Sequence, residues 1–195
     1  VGGADSLAGL QHVPVSTLPV ALSFLRGAPG APSEAALDRA TAVAYAKADA
    51  LLAAVGGPSA VNKWMKDAGI EGFSLSRDIA TLIREDGRID PAWSVDIKDS
   101  ATPRAMGQLL AGIYQGKWLS DYSRRVLLDA MEETTTGKRR MPSALPVSAN
   151  LAHKTGTLAR TASDIGIFHT PDGRAIAAAI YVTGQSPSMA VENGS

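Results

Sequence analysis

A turn near the end of the chain places the strongest limit on its fold. Pro171-Asp172-Gly173 separates two strand-like segments, 164–170 and 174–183. Proline sets the φ angle that starts a tight turn and glycine accepts positive φ, so the triplet predicts a β-hairpin. A third strand-like segment, 151–158, lies just upstream. The sequence therefore predicts a small antiparallel sheet in this part of the chain.

The chain before residue 132 has helical periodicity instead. Thr102-Pro103 and Ser120 are typical helix starts. We expect helices over 37–55, 58–69, 103–116 and after Ser120. Between residues 69 and 103 we expect a short helix near 78–84, followed by a long surface loop. The apolar face of the helix over 103–116 consists of Met106, Leu109, Leu110 and Ile113. The apolar face of the helix after Ser120 consists of Tyr122, Val126, Leu127, Ala130 and Met131. Helices followed by an antiparallel sheet indicate an α+β fold with a helical lobe.

Composition excludes several classes of function. The 195 residues are 45% apolar and carry 19 basic and 19 acidic side chains, which is not the charge balance of a nucleic-acid binder. The run Lys138-Arg139-Arg140 is interpreted as a solvated loop. The absence of cysteine excludes disulfides and thiolate zinc sites, and no apolar run approaches the ~18 residues of a membrane span. The three histidines lack metal-ligand spacing, so we expect no metal or cofactor.

The segment NLAHKTGTLAR (150–160) is the strongest candidate site. Lys154 stands between His153 and Thr155, and Gly156 separates Thr155 from Thr157. An ammonium and two hydroxyls on a strand suit an anionic ligand, and the glycine leaves room for it against the backbone. The alternative is a polar strand on a solvated face.

Several ordered segments resemble the class A serine β-lactamases, especially their extended-spectrum branch. They are GGPSAVNKWMKDAGI, ATPRAMGQLL, AMEETTTGKRR, AHKTGT and SDIGIFHTPDGRAIAAAIYVTG, and they cover roughly residues 37–184. The resemblance implies an antiparallel sheet flanked by helices, with the active site in a cleft beside a helical lobe. It places Lys154, Thr155 and Gly156 on the family's substrate-binding Lys-Thr-Gly strand, and the Thr157 backbone N–H in the oxyanion hole.

The rest of the family's catalytic set departs from this pattern. No Ser-x-x-Lys occurs in the chain. The positional candidate for the nucleophile is Ser16, with Pro19 where the lysine belongs; the alternative is that Ser16 caps the following helix. Val43-Ala44-Tyr45 stands where the family has Ser-Asp-Asn, and Ser148-Ala149-Asn150 is interpreted as a loop. Glu85 and Asp86 do not keep the spacing of the deacylating glutamate and are interpreted as a solvated turn.

The resemblance implies serine hydrolysis of β-lactams through an acyl-enzyme, impaired by these departures. The alternative is a non-catalytic binding or assembly protein that keeps a cleft for a β-lactam or peptidoglycan-like carboxylate. A decayed pseudoenzyme, a truncated form and a piece of a longer protein all fit the length. We expect one domain over 1–195, helical over about 16–132 and sheet-forming over about 150–184. By resemblance we also expect a periplasmic or secreted location, although no signal peptide is visible, and possible self-association or a domain swap.

Overall fold

The structure, a computed structural model, describes residues 46–85, 98–158 and 161–183. Within them the helices are α1 (46–54), α2 (Gly57–Asp67), α3 (Ile79–Glu85), α4 (Pro103–Tyr114), α5 (Asp121–Glu132) and α6 (Met141–Ala144), with a 3-10 helix at Val147–Ala149. The strands are β1 (Phe73–Ser74), β2 (Ser100–Ala101), β3 (Ala152–Leu158), β4 (Thr161–His169) and β5 (Ala175–Thr183). Helices followed by an antiparallel sheet confirm the predicted α+β fold.

The main sheet has the strand order β3-β4-β5, and both pairs are antiparallel. The hairpin between β4 and β5 is confirmed: Gly173 has φ +83°, and its N–H donates to the Thr170 carbonyl at 2.8 Å. Strand β4 begins at Thr161 rather than at 164 as predicted, because its pairing with β3 extends to Leu158. The sheet thus continues beyond the local apolar alternation from which it was predicted.

Helices α4 and α5 pack against the sheet. Met106 and Leu110 are buried and Leu109 and Ile113 are half-buried, which confirms the predicted stripe on α4. The prediction for α5 was partly wrong, because Tyr122 and Val126 are 54% and 47% exposed. The side chains of α5 that reach the core are the predicted Leu127 and Met131, together with Leu128. The buried stripe of α5 is thus formed by residues close to its C-terminal end.

An ion pair with little solvent exposure joins the two ends of the segment between β1 and β2. Arg77 Nε donates to Asp99 Oδ2 at 2.5 Å, and the two side chains are only 10% and 6% exposed. Asp99 Oδ1 also accepts the backbone N–H groups of Ser76 and Arg77, at 2.7 and 3.0 Å. These contacts join the two ends of a segment that holds the short helix α3 and the predicted long loop. Residues 86–97 of that loop lie outside the described structure.

Two further side chains attach this segment to the helices. Asn62 of α2 binds both the N–H and the carbonyl of Leu75, at 2.9 and 2.7 Å. Asp49 of α1 accepts the N–H groups of Ile79 and Ala80, at 2.7 and 3.1 Å, and so satisfies donors at the start of α3. The predicted short helix is confirmed as α3, and Asp78 caps it by accepting the Thr81 N–H at 2.7 Å.

Removing the cap of α4 should destabilise the chain measurably. Thr102 Oγ1 accepts the Ala105 N–H at 3.1 Å, and Pro103 follows it. We expect Thr102→Ala to lower the free energy of unfolding by about 1 kcal/mol, because an N-terminal donor of the helix loses its partner. Thr102→Ser keeps the hydroxyl and serves as the control in urea denaturation. Equal midpoints for the two variants would contradict a capping role.

Candidate functional site

The strand β3 carries Lys154, Thr155, Gly156 and Thr157, and it is one of the two edge strands of the main sheet within the described residues. Gly156 faces Ser163 of β4 in the register, and a Cβ built on Gly156 would lie 2.6 Å from Ser163 Oγ. A larger residue would therefore separate the two strands or displace Ser163. The predicted strand is present, and its glycine is required by a close contact across the ladder.

The loop that follows α5 lies against this strand. Thr134 Oγ1 donates to the His153 carbonyl at 2.7 Å, and the hydroxyl oxygens of Thr136 and Thr155 are 2.6 Å apart. Gly137 has φ +67°, and a Cβ on it would come within 2.6 Å of the Thr155 methyl carbon. The loop can approach β3 this closely only because residue 137 is glycine.

Arg140, at the end of that loop, was wrongly interpreted from sequence as a solvated residue. Its Nη1 donates to the carbonyls of Gly156 and Ser163 at 2.9 and 2.6 Å, and its Nη2 donates to Thr157 Oγ1 at 2.6 Å. The preceding turn, in which the Arg140 N–H donates to the Gly137 carbonyl at 2.8 Å, brings the guanidinium onto the strand. Its neighbours Lys138 and Arg139 are exposed, as predicted.

Two positive charges are therefore placed at one strand. Lys154 is exposed by surface area, but the protein surrounding its ammonium desolvates it and lowers its pKa; the charge of Arg140 lowers it further and Asp164 opposes the shift. Burial likewise lowers the pKa of Arg140, again against the influence of Asp164. The burial of both cations and the repulsion of Lys154 by Arg140 make the binding of an anion at this strand favourable, because its negative charge would offset cations that have lost part of their hydration.

A buried polar pair lies behind these residues. His153 and Asp164 are each only 2% exposed, and His153 Nδ1 lies 2.8 Å from Asp164 Oδ1. Asp164 Oδ2 accepts the backbone N–H of Met141 at 3.0 Å. Gly166, opposite His153 in the register, makes room for it, because a Cβ there would lie 2.8 Å from His153 Cβ. The sequence singled out His153 as a neighbour of Lys154 but did not identify its partner.

Several residues that the sequence singled out fall outside the part of the chain that the structure describes. Ser16 and Val43-Ala44-Tyr45 lie outside the described residues, as do Asp86 and the side chain of Glu85. Ser148-Ala149-Asn150 forms the end of a 3-10 turn in which Asn150 has φ +47°, in agreement with its interpretation as a loop. In the part of the chain that the structure describes, no three acidic or histidine side chains are grouped to hold a metal ion, and no helix is long and apolar enough to cross a membrane.

The chain matches known proteins over most of this described region. The sequence pattern of the family described as "Beta-lactamase enzyme family" matches residues 46–194. Beta-lactamase VEB-1 of Pseudomonas aeruginosa is 30% identical over 142 residues, which are 69% of this chain and 45% of VEB-1. Extended-spectrum beta-lactamase PER-1, also from Pseudomonas aeruginosa, is 31% identical over 146 residues, which are 72% of this chain and 45% of PER-1.

Solved structures agree with the sequence matches. The crystal structure of TLA-3 extended-spectrum beta-lactamase has a TM-score of 0.64 at 32% identity, covering 75% of this chain and 53% of TLA-3. A structure described as PBP-A has a TM-score of 0.57 at 27% identity, covering 70% of this chain and 46% of PBP-A. The chain thus spans about half the length of the relatives that it matches.

Proposed function

The chain belongs to the β-lactamase enzyme family, with class A relatives, and from this premise we propose that it recognises β-lactams through a carboxylate site on β3. The observation that carries the proposal is the Arg140 guanidinium bound to the Thr157 hydroxyl, with the desolvated Lys154 ammonium close enough to Arg140 for their charges to interact. A carboxylate needs positive charge for affinity and directed O–H or N–H donors for orientation. This strand supplies both.

The hydroxyls have protons to spare for a ligand. Thr157 Oγ1 accepts from Arg140, so its own O–H is free of that contact and can donate elsewhere. Thr136 and Thr155 share one hydrogen bond, which uses the proton of one hydroxyl and leaves the other proton available. The loop residues therefore orient the strand's hydroxyls toward an acceptor, and an anion is the acceptor that the nearby cations favour.

Backbone groups of β3 provide a second contact for the ligand. The carbonyls of His153 and Thr155 accept from Thr134 and from the Lys154 ammonium, so these alternate residues direct their backbone groups away from β4. Thr157 is the next residue in that alternation. Its N–H is therefore positioned to bind a carbonyl oxygen laid against the strand, which is the role that the family resemblance implies for an oxyanion hole.

The proposed reaction is amide hydrolysis through a serine ester. The serine Oγ adds to the β-lactam carbonyl carbon, the C–N bond breaks, and the proton of the serine hydroxyl ends on the ring nitrogen. Water then adds to the ester, one of its protons returns to the serine Oγ, and the opened acid is released. We propose Ser16 as this serine, and slow turnover, because Pro19 supplies neither an amine nor an N–H where the family has lysine. The non-catalytic alternative would bind β-lactams without opening them.

Hydrolysis of a chromogenic cephalosporin tests the reaction. We expect slow, reproducible turnover that Ser16→Ala abolishes while Arg139→Ala, which alters an exposed cation, leaves it unchanged. Binding without turnover would favour the non-catalytic alternative. If the folded chain shows neither binding nor turnover, the proposal is rejected.

Location, domain extent and assembly are also proposals from the family. We propose an exported protein, a single domain over 1–195, and self-association through the outer edge of β5, which has no strand partner among the described residues. Ile180 and Val182 of β5 are 50% and 43% exposed, so apolar area is available for contact. Sedimentation velocity across a concentration series should show a dimer; a monomer at all concentrations would reject this part.

Replacing Lys154 by alanine should weaken binding of benzylpenicillin by about 1.5–3 kcal/mol, the usual range for a hydrogen bond to a charged group. The expected cause is loss of a desolvated ammonium that lies close enough to Arg140 for their charges to interact. Calorimetric titration at fixed salt measures the change, with kcat/KM as the readout where the ligand turns over, and Arg139→Ala is the matched control. Equal affinities for wild type and both variants would show that Lys154 does not contribute to the binding of benzylpenicillin.

A further inference from the structure

The Asp164 carboxylate contacts both His153 and Met141, which are sequence neighbours of Lys154 and Arg140. Its Oδ1 meets His153 Nδ1 at 2.8 Å, and because a carboxylate only accepts, the imidazole donates. Its Oδ2 accepts the Met141 N–H at 3.0 Å. His153 directly precedes Lys154, and Met141 directly follows Arg140. One buried carboxylate therefore holds the main chain beside Arg140 and the side chain beside Lys154.

The surroundings fix this carboxylate in place. Asp164 is 2% exposed and stands opposite Thr155 in the register, so its side chain lies on the same face of the sheet as Thr155. A carboxyl group this deeply buried requires full hydrogen bonding, because an unmade hydrogen bond leaves the loss of its hydration uncompensated. Rotation of Asp164 would leave either His153 or the Met141 N–H without a partner. The carboxyl plane is therefore set by both contacts together.

We propose that Asp164, with His153, is a positioning residue that sets the placement of Arg140 relative to the β3 hydroxyls. This inference rests on the proposed carboxylate site. The Met141 N–H fixes the main chain from which the Arg140 side chain extends, and the guanidinium then spans Gly156, Ser163 and Thr157. Loosening that main chain would allow the guanidinium to shift, and hydrogen bonding to a carboxylate depends steeply on distance and angle.

The sign of the effect distinguishes positioning from simple charge. Asp164 is negative and close enough to raise the pKa values of Lys154 and Arg140, so it also repels an anion bound beside them. If charge alone mattered, Asp164→Asn would tighten binding of a carboxylate. A positioning role predicts the opposite. Asparagine keeps the shape, but its amide has one acceptor oxygen for two donors, so both contacts remain only if the imidazole changes tautomer and accepts, and neither is then made to a charged group.

The test compares benzylpenicillin with its methyl ester, which has the same body without the negative charge. In the folded full chain we expect Asp164→Asn to weaken benzylpenicillin binding about tenfold while changing ester binding less than about twofold. His153→Gln, which removes only the imidazole contact, should show the same selective loss at smaller size. Far-UV circular dichroism and the urea midpoint confirm that each variant is folded.

The outcomes separate the two proposals. If the wild type does not prefer the acid over the ester, the carboxylate site itself is wrong. If the wild type prefers the acid and Asp164→Asn keeps or increases that preference, the positioning role is wrong. Equal loss for acid and ester would show a general structural role, which also overturns the inference. Should Asp164→Asn fail to fold, the acid-to-ester ratio of His153→Gln decides alone.

Discussion

Asp99→Ala is expected to lower the free energy of unfolding by about 3 kcal/mol, the lower end of the range for breaking a buried ion pair, because it removes the carboxylate that pairs with the largely buried Arg77 side chain. The carboxylate also accepts two backbone N–H groups, from Ser76 and Arg77, which would lose their partner. Denaturation in urea, followed by circular dichroism, measures the loss. The control is Asp67→Ala, whose ion pair with Lys63 is 59% and 75% exposed and should change stability by less than about 1 kcal/mol.

The same carboxylate should make stability depend on acid. Burial alone would raise the pKa of Asp99, but the N–H groups of Ser76 and Arg77 and the Arg77 charge outweigh it, and the pKa is lowered. A group whose pKa is lower in the folded state stabilises fully above its unfolded pKa of about 3.9, and this stabilisation is lost as pH falls through the folded value. The stability gap between wild type and Asp99→Asn should therefore narrow below about pH 4. A gap that is constant from pH 7 to pH 3 would contradict the assignment.

Sequence patterns predicted the elements whose causes are local. The hairpin follows from Pro171-Asp172-Gly173, and α4 follows from its Thr102 cap and its apolar stripe, since each signal lies within one turn of the structure it produces. The position of Lys154 on a strand was predicted for the same reason. The buried stripe of α5 was only partly predicted, because helical spacing fits several neighbouring stripes and packing against the sheet selects one of them.

The contacts that organise the candidate site come from distant parts of the chain. Arg140 binds carbonyls 16 and 23 residues away, and His153 meets Asp164 across 11 residues. No periodicity encodes such pairs, because they depend on the turn at Gly137 and on the register of β3 with β4. The glycine within TTTGKRR was the one local signal that the basic run turns back onto the structure. The run of basic residues taken alone indicated a loop exposed to solvent.

Arg140→Ala is expected to have the largest effect on ligand binding, about 3 kcal/mol, the upper end of the range for a hydrogen bond to a charged group. The change removes positive charge and also the donors to Gly156, Ser163 and Thr157. Its loss would leave Thr157 Oγ1 without the donor that orients its hydroxyl. The expected loss for Arg140→Ala is therefore greater than for Lys154→Ala, whose ammonium donates to the Thr155 carbonyl.

Arg140→Lys separates the charge of this residue from its geometry. Lysine keeps the positive charge but cannot reproduce a planar fork that serves two carbonyls and a hydroxyl at once. We therefore expect Arg140→Lys to recover less than half of the affinity that Arg140→Ala loses. Titration with benzylpenicillin at two salt concentrations gives the comparison, with Arg139→Lys as the matched exposed control. Full recovery by lysine would show that only charge matters at residue 140, and an unchanged affinity in folded Arg140→Ala would place the carboxylate elsewhere on the protein.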